Sequence, residues 1–331
     1  MAKSRQLKGR IRSVQNTRKI TKTMELVATS KLKRAQDRVI AARPYADALR
    51  EVIVDLYTPD LADRFPLLRR PVLPSKGGPR RAAVILLTSN RGLAGGFNSN
   101  LIKEARRRIE SLEGEGYTVD LYAVGKKGIG FFKYLGRKLA LERIDVGDRP
   151  TADHAAEIVE PLIRDFAAGE LGTVELIQAR FISALQTPPA TVRILPVEVG
   201  PHGGAGAQRG SGAAGKGESG ADVGPHGSPG APRGSAGEEQ GPKMVANYIL
   251  APNAEAILEQ LLPLYVRNAV YRGLVETAAG EHGARRTAMK NATDNAGEIL
   301  ELLKRTYNRQ RQAQITQEIA EIVGGAAALQ G

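Results

Sequence analysis

The sequence predicts an α/β protein: a long antiparallel coiled coil of the N- and C-terminal helices plus a central open α/β domain. Both ends of the 331-residue chain carry apolar residues at helical spacing. The middle alternates short apolar runs with amphipathic stretches, which indicates a sheet with helices packed on its faces. Because the two long helices flank one domain in sequence, they can pair only by running antiparallel.

The first element is a coiled-coil helix within residues 1–57, predicted from about Lys3 to Leu56. No proline precedes Pro44, and the one early glycine is Gly9. Small or apolar residues recur at alternating spacings of four and three, which defines a heptad seam. These residues are Leu7, Ile11, Val14, Ala28, Leu32, Ala35, Val39, Ala42, Ala46, Leu49, Ile53 and Leu56.

The seam of this helix turns polar for about one heptad, at Arg18, Thr21 and Glu25. Either the helix is locally unpaired there, or that face meets something other than its partner helix. The helix is also strongly basic, because residues 1–43 hold thirteen Lys and Arg against two acidic residues, a local net charge of +11. Most of the chain's formal charge of +13 therefore lies on one element.

Prolines and glycines at residues 58–81 predict a linker, because this composition breaks helix and strand alike. Residues 82–199 follow as the central, Rossmann-like α/β domain. Strands are predicted at 82–87, 117–124, 173–184 and 191–198, and helices at 98–112, 126–135 and 152–167.

Residues 200–243 are a low-complexity insert with fifteen Gly and five Pro, and they are predicted to be disordered. A last strand of the central domain is predicted within 244–252, and the C-terminal coiled-coil helix spans 253–331. Pro263 and the glycines at 280–283 are candidate kinks in this helix. Its predicted buried face comprises Ile257, Leu261, Leu264, Leu274, Ala288, Ala292, Ala296, Ile299, Leu303, Ile315, Ile319 and Ile322.

Composition excludes several kinds of chemistry. The chain has no Cys, which excludes disulfides, thiolate metal sites and a thiol nucleophile, and its four His lie in no catalytic motif. The Gly-rich run at 88–98 has the wrong spacing for a dinucleotide fingerprint, so it is interpreted as a tight turn and a helix start. The GxxxxGK match at 210–216 lies inside the insert and is interpreted as chance. No cofactor and no metal is predicted.

No membrane-spanning helix is predicted, because the longest aliphatic stretch, Ala82–Leu87, is far shorter than a bilayer requires. The basic N-terminal helix leaves one alternative open from charge alone, a coiled-coil protein that binds nucleic acid. The heptad seam and the lack of interleaved aromatic residues favour a solvated face or an acidic protein partner instead. A nucleotide-dependent enzyme is a distant third.

Three segments resemble the gamma-subunit family of the rotary, proton-translocating F-type ATP synthase. They are Leu7–Ala28, Ala288–Asn295 and Tyr307–Ala326. The run at 88–98 also resembles the central-domain loop of this family. The C-terminal signature of the family is met by Ile315, Thr316, Glu318, Glu321, Gly325 and Ala326.

The resemblance implies a central rotor shaft without a catalytic site of its own. The shaft would stand inside a ring of alpha and beta subunits and rest, with the epsilon subunit, on the membrane c-ring. Rotation would couple proton flow to ATP synthesis or hydrolysis in the beta subunits. It implies a peripheral position on the cytoplasmic face of the bacterial plasma membrane, and no nucleic-acid partner.

The resemblance also implies contact residues for the beta subunits. Arg311 and Gln312 match positions that bind an acidic loop of a beta subunit, for which a guanidinium is well suited. Met24 matches the position close to the beta-subunit lever, where added positive charge is expected to disturb coupling. Arg285 matches, by alignment, an arginine on the facing helix near the same contact. The apolar tip at 315–329 would turn in the bearing at the top of the ring.

The insert at 200–243 departs from the family pattern. Chloroplast members carry a redox-active cysteine pair in a similar region, and the absence of Cys excludes that switch here. A brake, or a docking segment for epsilon, is a hypothesis for the insert.

Overall fold

The computed structural model describes residues 2–57, 64–69, 77, 80–198 and 254–328. The predicted insert at 200–243 and the predicted strand at 244–252 lie outside the described residues, as does most of the linker. Besides a 3-10 helix at Pro66–Leu68, five α-helices and five strands occur within the described ranges. In chain order they are α1 (Ala2–Leu56), β1 (Arg81–Leu87), α2 (Phe97–Gly114), β2 (Thr118–Val124), α3 (Lys126–Tyr134), β3 (Leu141–Arg143), α4 (Ala152–Ala167), β4 (Leu171–Ala179), β5 (Pro189–Leu195) and α5 (Ala254–Ala328).

The five strands form one sheet in the order β3-β2-β1-β4-β5. The first four are parallel, and β5 joins the edge antiparallel to β4. Strand β1 is central and buried, because Val84 is paired with Leu121 of β2 on one side and with Glu175 of β4 on the other. The predicted open α/β sheet is confirmed. Sequence analysis missed β3, which has three residues and too few apolar positions to show a period.

Helices cover both faces of the sheet. On one face α2 and α3 pack through Phe97, Leu101 and Phe132. On the other face α4 packs together with the C-terminal part of α1 and the N-terminal part of α5. We call these the lower parts of the two helices, and together they form the base of the coiled coil, which shares one core with the body of the domain. The side chains that join them include Ile53, Ile158, Leu162, Leu176, Leu258, Val266 and Val270.

Helices α1 and α5 form the predicted antiparallel pair. A residue early in α1 contacts the middle of α5, as Thr21 with Thr293, while the end of α1 shares a core with the start of α5. The predicted seam of α1 is confirmed, because its positions from Ala28 to Leu56 are buried or half-buried. Pro44 in α1 and Pro263 in α5 lie inside uninterrupted helices, and the glycines at 280–283 do not divide α5 either.

The predicted buried face of α5 is only partly right. In its lower part the fully buried residues are Leu258, Leu262, Val266 and Val270, while Ile257, Leu261 and Leu264 are half-buried. In its upper part the prediction is wrong for four isoleucines. Three of them lie beyond the start of α1, because α5 has 75 residues and α1 only 55, whereas Ile299 lies alongside α1 and is still 50% exposed. These exposed residues are Ile299, Ile315, Ile319 and Ile322.

Candidate partner-binding surface and domain junction

The end of α5 extends beyond its partner. Thr21 lies opposite Thr293, so the register brings the start of α1 to about residue 313 of α5. The last fifteen or so residues of α5 therefore form a single helix of roughly 20 Å. Its apolar side chains are open to solvent, with Ile322 71% and Val323 62% exposed. Exposed apolar side chains grouped in this way indicate a contact surface.

Arg311 and Gln312 lie just below this tip, and both are exposed. Among the described residues no ion pair is made by Arg311, so its guanidinium is available to an outside carboxylate. The backbone carbonyl of Gln312 accepts a hydrogen bond from the Thr316 hydroxyl at 3.0 Å. Both side chains therefore face solvent, where a partner could reach them.

Two residues of the C-terminal family signature, Glu318 and Glu321, form hydrogen bonds within α5. Glu318 accepts a hydrogen bond from Gln314 at 3.2 Å, and Glu321 accepts one from Gln317 at 2.9 Å. Both pairs have i, i+4 spacing and are exposed, which stabilises the single-helix tip locally. Gly325 and Ala326 lie within α5.

The polar interruption of the α1 seam is paired with α5, so both sequence interpretations of it are wrong. The Thr293 hydroxyl lies 2.8 Å from that of Thr21, and both residues are buried. The Arg18 guanidinium packs over Gly297, at 3.7 Å from the position that a Cβ would take there. The polar residues thus meet the partner helix through a hydrogen bond and through the space left by a glycine.

Met24 lies one turn from this threonine pair and is half-buried on α1. Its neighbours Lys22 and Glu25 form an ion pair at 3.1 Å on the same helix. The next residues, Leu26 and Val27, are 60% and 51% exposed. Met24 therefore borders an exposed apolar strip of α1.

Arg285 lies inside the chain and does not face solvent as a contact residue would. It is 8% exposed, and its guanidinium donates to the Gly92 carbonyl at 3.2 Å and to Glu281 at 2.6 Å. Burial raises the pKa of Glu281, and the Arg285 charge opposes that rise. Arg285 thereby ties the loop after β1 to α5.

The Gly-rich run at 88–98 is a tight turn and a helix start, as predicted. Its polar groups are used within the domain: the first amides of α3 donate to Asn90, to the Ser89 carbonyl and to the Thr88 hydroxyl, at 2.9 to 3.2 Å. The backbone amide of Ser89 donates to Asn98 at 3.0 Å. The N-terminus of α3 is therefore capped by the polar groups of this run.

Sequence analysis missed a charged cluster where the loop after β3 meets both long helices. Lys31 of α1 donates a hydrogen bond to the Asp148 carboxylate, and Arg38 donates to the Asp148 backbone carbonyl at 2.8 Å. His282 of α5, 2% exposed, places Nε2 at 3.6 Å from the same carboxylate. Since Lys31 and Asp148 are 117 residues apart, no spacing in the sequence could have shown this cluster.

Two pKa values reflect this environment. Burial lowers the pKa of His282 to about 4, although the Asp148 charge opposes it, so the imidazole is neutral at pH 7. Burial acts to raise the pKa of Asp148, but the Lys31 hydrogen bond and nearby positive charges hold it below its usual range. The charged pair of the cluster at neutral pH is therefore Lys31 and Asp148.

Other titratable groups outside this cluster are used in ion pairs. Glu157 pairs with Arg143, and Glu160 pairs with Arg267, both at 2.5 Å. Within the described ranges, no group of three His, Asp or Glu side chains is arranged to hold a metal ion. In the same part of the chain, no helix combines the length and the apolar character needed to span a bilayer.

A two-helix rod with an exposed apolar tip, joined through one core to an α/β body, defines the class of central stalk proteins. The family model described as ATP synthase matches residues 3–329. A gamma chain of Gemmatimonas aurantiaca is 56% identical over 331 residues and covers 100% of both chains. A gamma chain of Leptospira biflexa is 39% identical over 329 residues, covering 99% of this chain and 100% of the relative.

Solved structures show the same fold. A chain in a cryo-EM structure of OSCP, F1 and the c-ring of the Euglena gracilis mitochondrial ATP synthase aligns with a TM-score of 0.62 at 18% identity. The alignment covers 99% of this chain and 95% of that one. The chain belongs to the ATP synthase gamma chain family, as the sequence resemblance predicted. Both relatives are ATP synthase gamma chains and the aligned structure is that of an ATP synthase, so the nucleic-acid alternative has no support.

Proposed function

We propose that this gamma subunit is the rotor shaft that couples rotation of a membrane c-ring to catalysis in the beta subunits of the surrounding ring. The observation that carries the proposal is the single-helix end of α5, which presents exposed apolar residues beyond the reach of α1. Exposed apolar residues at the tip of an otherwise charged rod indicate that a partner surrounds the tip with apolar side chains, as a sleeve would. The alpha and beta subunits would supply that sleeve.

Contacts below the tip would be polar. Arg311 and Gln312 are both exposed, and Arg311 has no acidic partner among the described residues. A carboxylate of a beta subunit would form an ion pair with the Arg311 guanidinium. Met24 borders the exposed Leu26 and Val27, so a positive charge there would disturb an apolar contact. Arg285 would act indirectly, by positioning the loop at 91–96, because its own guanidinium is already bonded inside the chain.

The base of the shaft would rest on the c-ring together with epsilon, on the cytoplasmic face of the plasma membrane. The shared core of α4 with the lower parts of α1 and α5 supports this proposal, because it gives the foot of the rod a rigid body to carry load. The insert at 200–243 would be a brake or an epsilon docking segment. Unchanged ATPase rate, inhibition and coupling after its deletion would reject that role.

The test is co-expression of this chain with alpha and beta subunits of the same organism, followed by isolation of the complex and an ATPase assay. One copy of the chain in an ATP-hydrolysing ring supports the shaft. The Arg311→Ala variant is expected to lower ATPase activity, whereas Arg309→Ala is the matched control. Arg309 is exposed on the same turn but points roughly 200° away from Arg311 around the helix. Recovery of the chain alone, or equal effects of both variants, would overturn the proposed contact.

A further inference from the structure

The α/β body holds α1 with two loops that leave the same edge of the sheet. Strands β3 and β4 both run parallel to the central part of the sheet, so the loops after them emerge at its carboxyl edge. We call residues 144–150 the polar loop and residues 180–188 the apolar loop. Asn90 fixes the polar loop by donating to the carbonyls of Ile144 and Val146 at 2.8 and 3.2 Å.

The apolar loop packs on the helix pair through Phe181. This side chain shares a buried cluster with residues of both helices, which are Leu32, Ala35, Val39, Val275 and Ala279. The approach is close, since a Cβ on Gly283 would lie 2.9 Å from the Ala184 carbonyl oxygen. Such packing resists separation of the loop from the helices, but it is not directional and tolerates small rotations.

The polar loop contacts both helices through one residue, Asp148. Its carboxylate accepts from Lys31 of α1 and lies 3.6 Å from His282 of α5, and its backbone carbonyl accepts from Arg38. Hydrogen bonds weaken steeply when they are bent, so the two hydrogen bonds to α1 define an orientation, while the neutral His282 of α5 lies beside the carboxylate without a hydrogen bond. Because Lys31 is charged and partly buried, its bond to Asp148 is of the stronger, charge-assisted kind.

The two loops reach α1 from opposite flanks. Lys31 and Arg38 are seven residues apart, so they lie on one side of the helix. Ile40 lies on the other side, where it lines a cleft with Phe181 and Ile182 of the apolar loop. The helix is thus held between a directional contact and a non-directional one.

We propose that Asp148, held by Lys31 and Arg38 beside His282, is the positioning residue that sets the angle of the α/β body about the coiled-coil axis at the carboxyl edge of the sheet. The shared core and the apolar loop keep the body on the rod, and the polar loop opposes the twist that this apolar packing still allows. This role rests on the proposed function, because a rotor shaft must transmit torque from its body to both helices without rotation of the body relative to them. Asp148 touches no reacting group and acts only through the helices.

The experiment measures the angular fluctuation of the body in single assembled complexes of alpha, beta and this chain, immobilised through the beta subunits. Because the chain has no Cys, Tyr134→Cys supplies its one thiol for a probe, on a side chain that is 91% exposed. The variance of the probe angle is recorded during the pauses of rotation at low ATP. Asp148→Asn, Lys31→Met and their double variant are compared with this parent.

Asp145→Asn is the matched control. Asp145 lies three residues before Asp148 and pairs with Arg143, within the α/β body itself. The charge-swapped pair, Lys31→Asp with Asp148→Lys, tests rescue. We expect each single variant to raise the variance at least about 1.5-fold, with no further rise in the double variant, because both remove one contact. Asp145→Asn should leave the variance unchanged, and the charge swap should restore much of the parental value.

Parental variance in both single variants, or effects that add in the double variant, would overturn the proposal. If Asp148→Asn does not assemble, the swapped pair decides: assembly with restored variance supports the contact, and failure while Lys31→Met behaves as the parent overturns it. Failure of all three to assemble would also overturn it, since an angular constraint is not a requirement for assembly. A parent that neither assembles nor rotates would instead overturn the proposed function, so the two failures are distinguishable.

Discussion

The hydroxyl oxygens of Thr21 and Thr293 lie 2.8 Å apart inside the helix pair, at the point where the apolar seam of α1 is interrupted. Each threonine also has a helical carbonyl within reach, that of Arg18 for Thr21 and that of Met289 for Thr293. The pair therefore forms a polar contact that is fully hydrogen-bonded. A buried polar contact of this kind favours one register of a coiled coil over its neighbours.

Replacing one threonine of this pair should cost more than replacing both. Thr21→Val leaves the Thr293 hydroxyl facing a methyl group, and we expect a loss of about 1 kcal/mol in unfolding free energy. The double variant with Thr293→Val should recover most of this loss, because two apolar groups of the same shape then meet. Urea unfolding of the four chains in a double-mutant cycle checks this. A double variant less stable than either single one would contradict it.

Removing Arg285 should destabilise the chain strongly. Arg285→Ala leaves Glu281 buried without its cation and the Gly92 carbonyl without a donor, and we expect a loss of about 3 kcal/mol. Arg286→Ala, which removes a more exposed cation from the next position, should change stability by less than about 0.5 kcal/mol. Thermal unfolding of both variants is the measurement. Equal losses would show that charge alone matters here.

His282 should make stability depend on pH below neutrality. Its pKa is about 4 in the folded chain and about 6.5 when unfolded, so between these values only the unfolded chain binds the proton. Stability should fall as pH drops from 6.5 to 4, by on the order of 1 to 3 kcal/mol. The charged groups around it are Asp148, Arg285, Lys31 and Arg38.

Denaturant unfolding between pH 7.5 and 4.5 checks the His282 prediction. His282→Gln should flatten this pH dependence, because glutamine does not titrate. Asp148 does not interfere, since its lowered pKa places its own loss of stability below the usual aspartate range of about 4. A wild-type profile that His282→Gln leaves unchanged would show that other groups cause it.

Two glycine-to-alanine substitutions should change the stability of the folded chain in opposite directions. A Cβ on Gly273 would lie 2.2 Å from Oε1 of Gln178 and 2.6 Å from a methyl group of Leu176, so Gly273→Ala should cost roughly 1 to 3 kcal/mol. Gly9 lies inside α1 with nothing within 4 Å of such a Cβ, and Gly9→Ala should add about 1 kcal/mol through helix propensity. Melting temperatures compared with the parent give both signs. A gain for Gly273→Ala would show that α5 can move away from β4.

Sequence patterns predicted those parts of the fold that depend on local period. The seam from Ala28 to Leu56 faces α5 along one side of α1, so its spacing of three and four was visible in the sequence. The lower part of α5 is different, because it packs against the sheet, α4 and α1 at once and is apolar on several sides. The apolar spacing of the sequence therefore could not identify Leu258 and Leu262, rather than their apolar neighbours, as the fully buried positions.

The site residues also differ in whether a sequence pattern could indicate them. Arg311 and Gln312 were assigned because their segment resembles the family; both are exposed, and their contact with a beta subunit stays a prediction. Arg285 was assigned to the contact near Met24, but its guanidinium binds Glu281 and the carbonyl of Gly92, which is nearly 200 residues away in the sequence. Asp148 was missed for the same reason, since a single aspartate in a loop has no pattern until the chain is folded.

The pairing of the first helix with the last also sets the order in which the chain can fold. Helix α1 leaves the ribosome before α5, and the α5 residues that cover its seam begin at Ala254, about two hundred residues later. At roughly 5 to 20 residues per second, α1 waits on the order of 10 to 40 seconds for its partner. During synthesis its leucines are screened only by the α/β body and by its own dense positive charge, which opposes association between nascent chains.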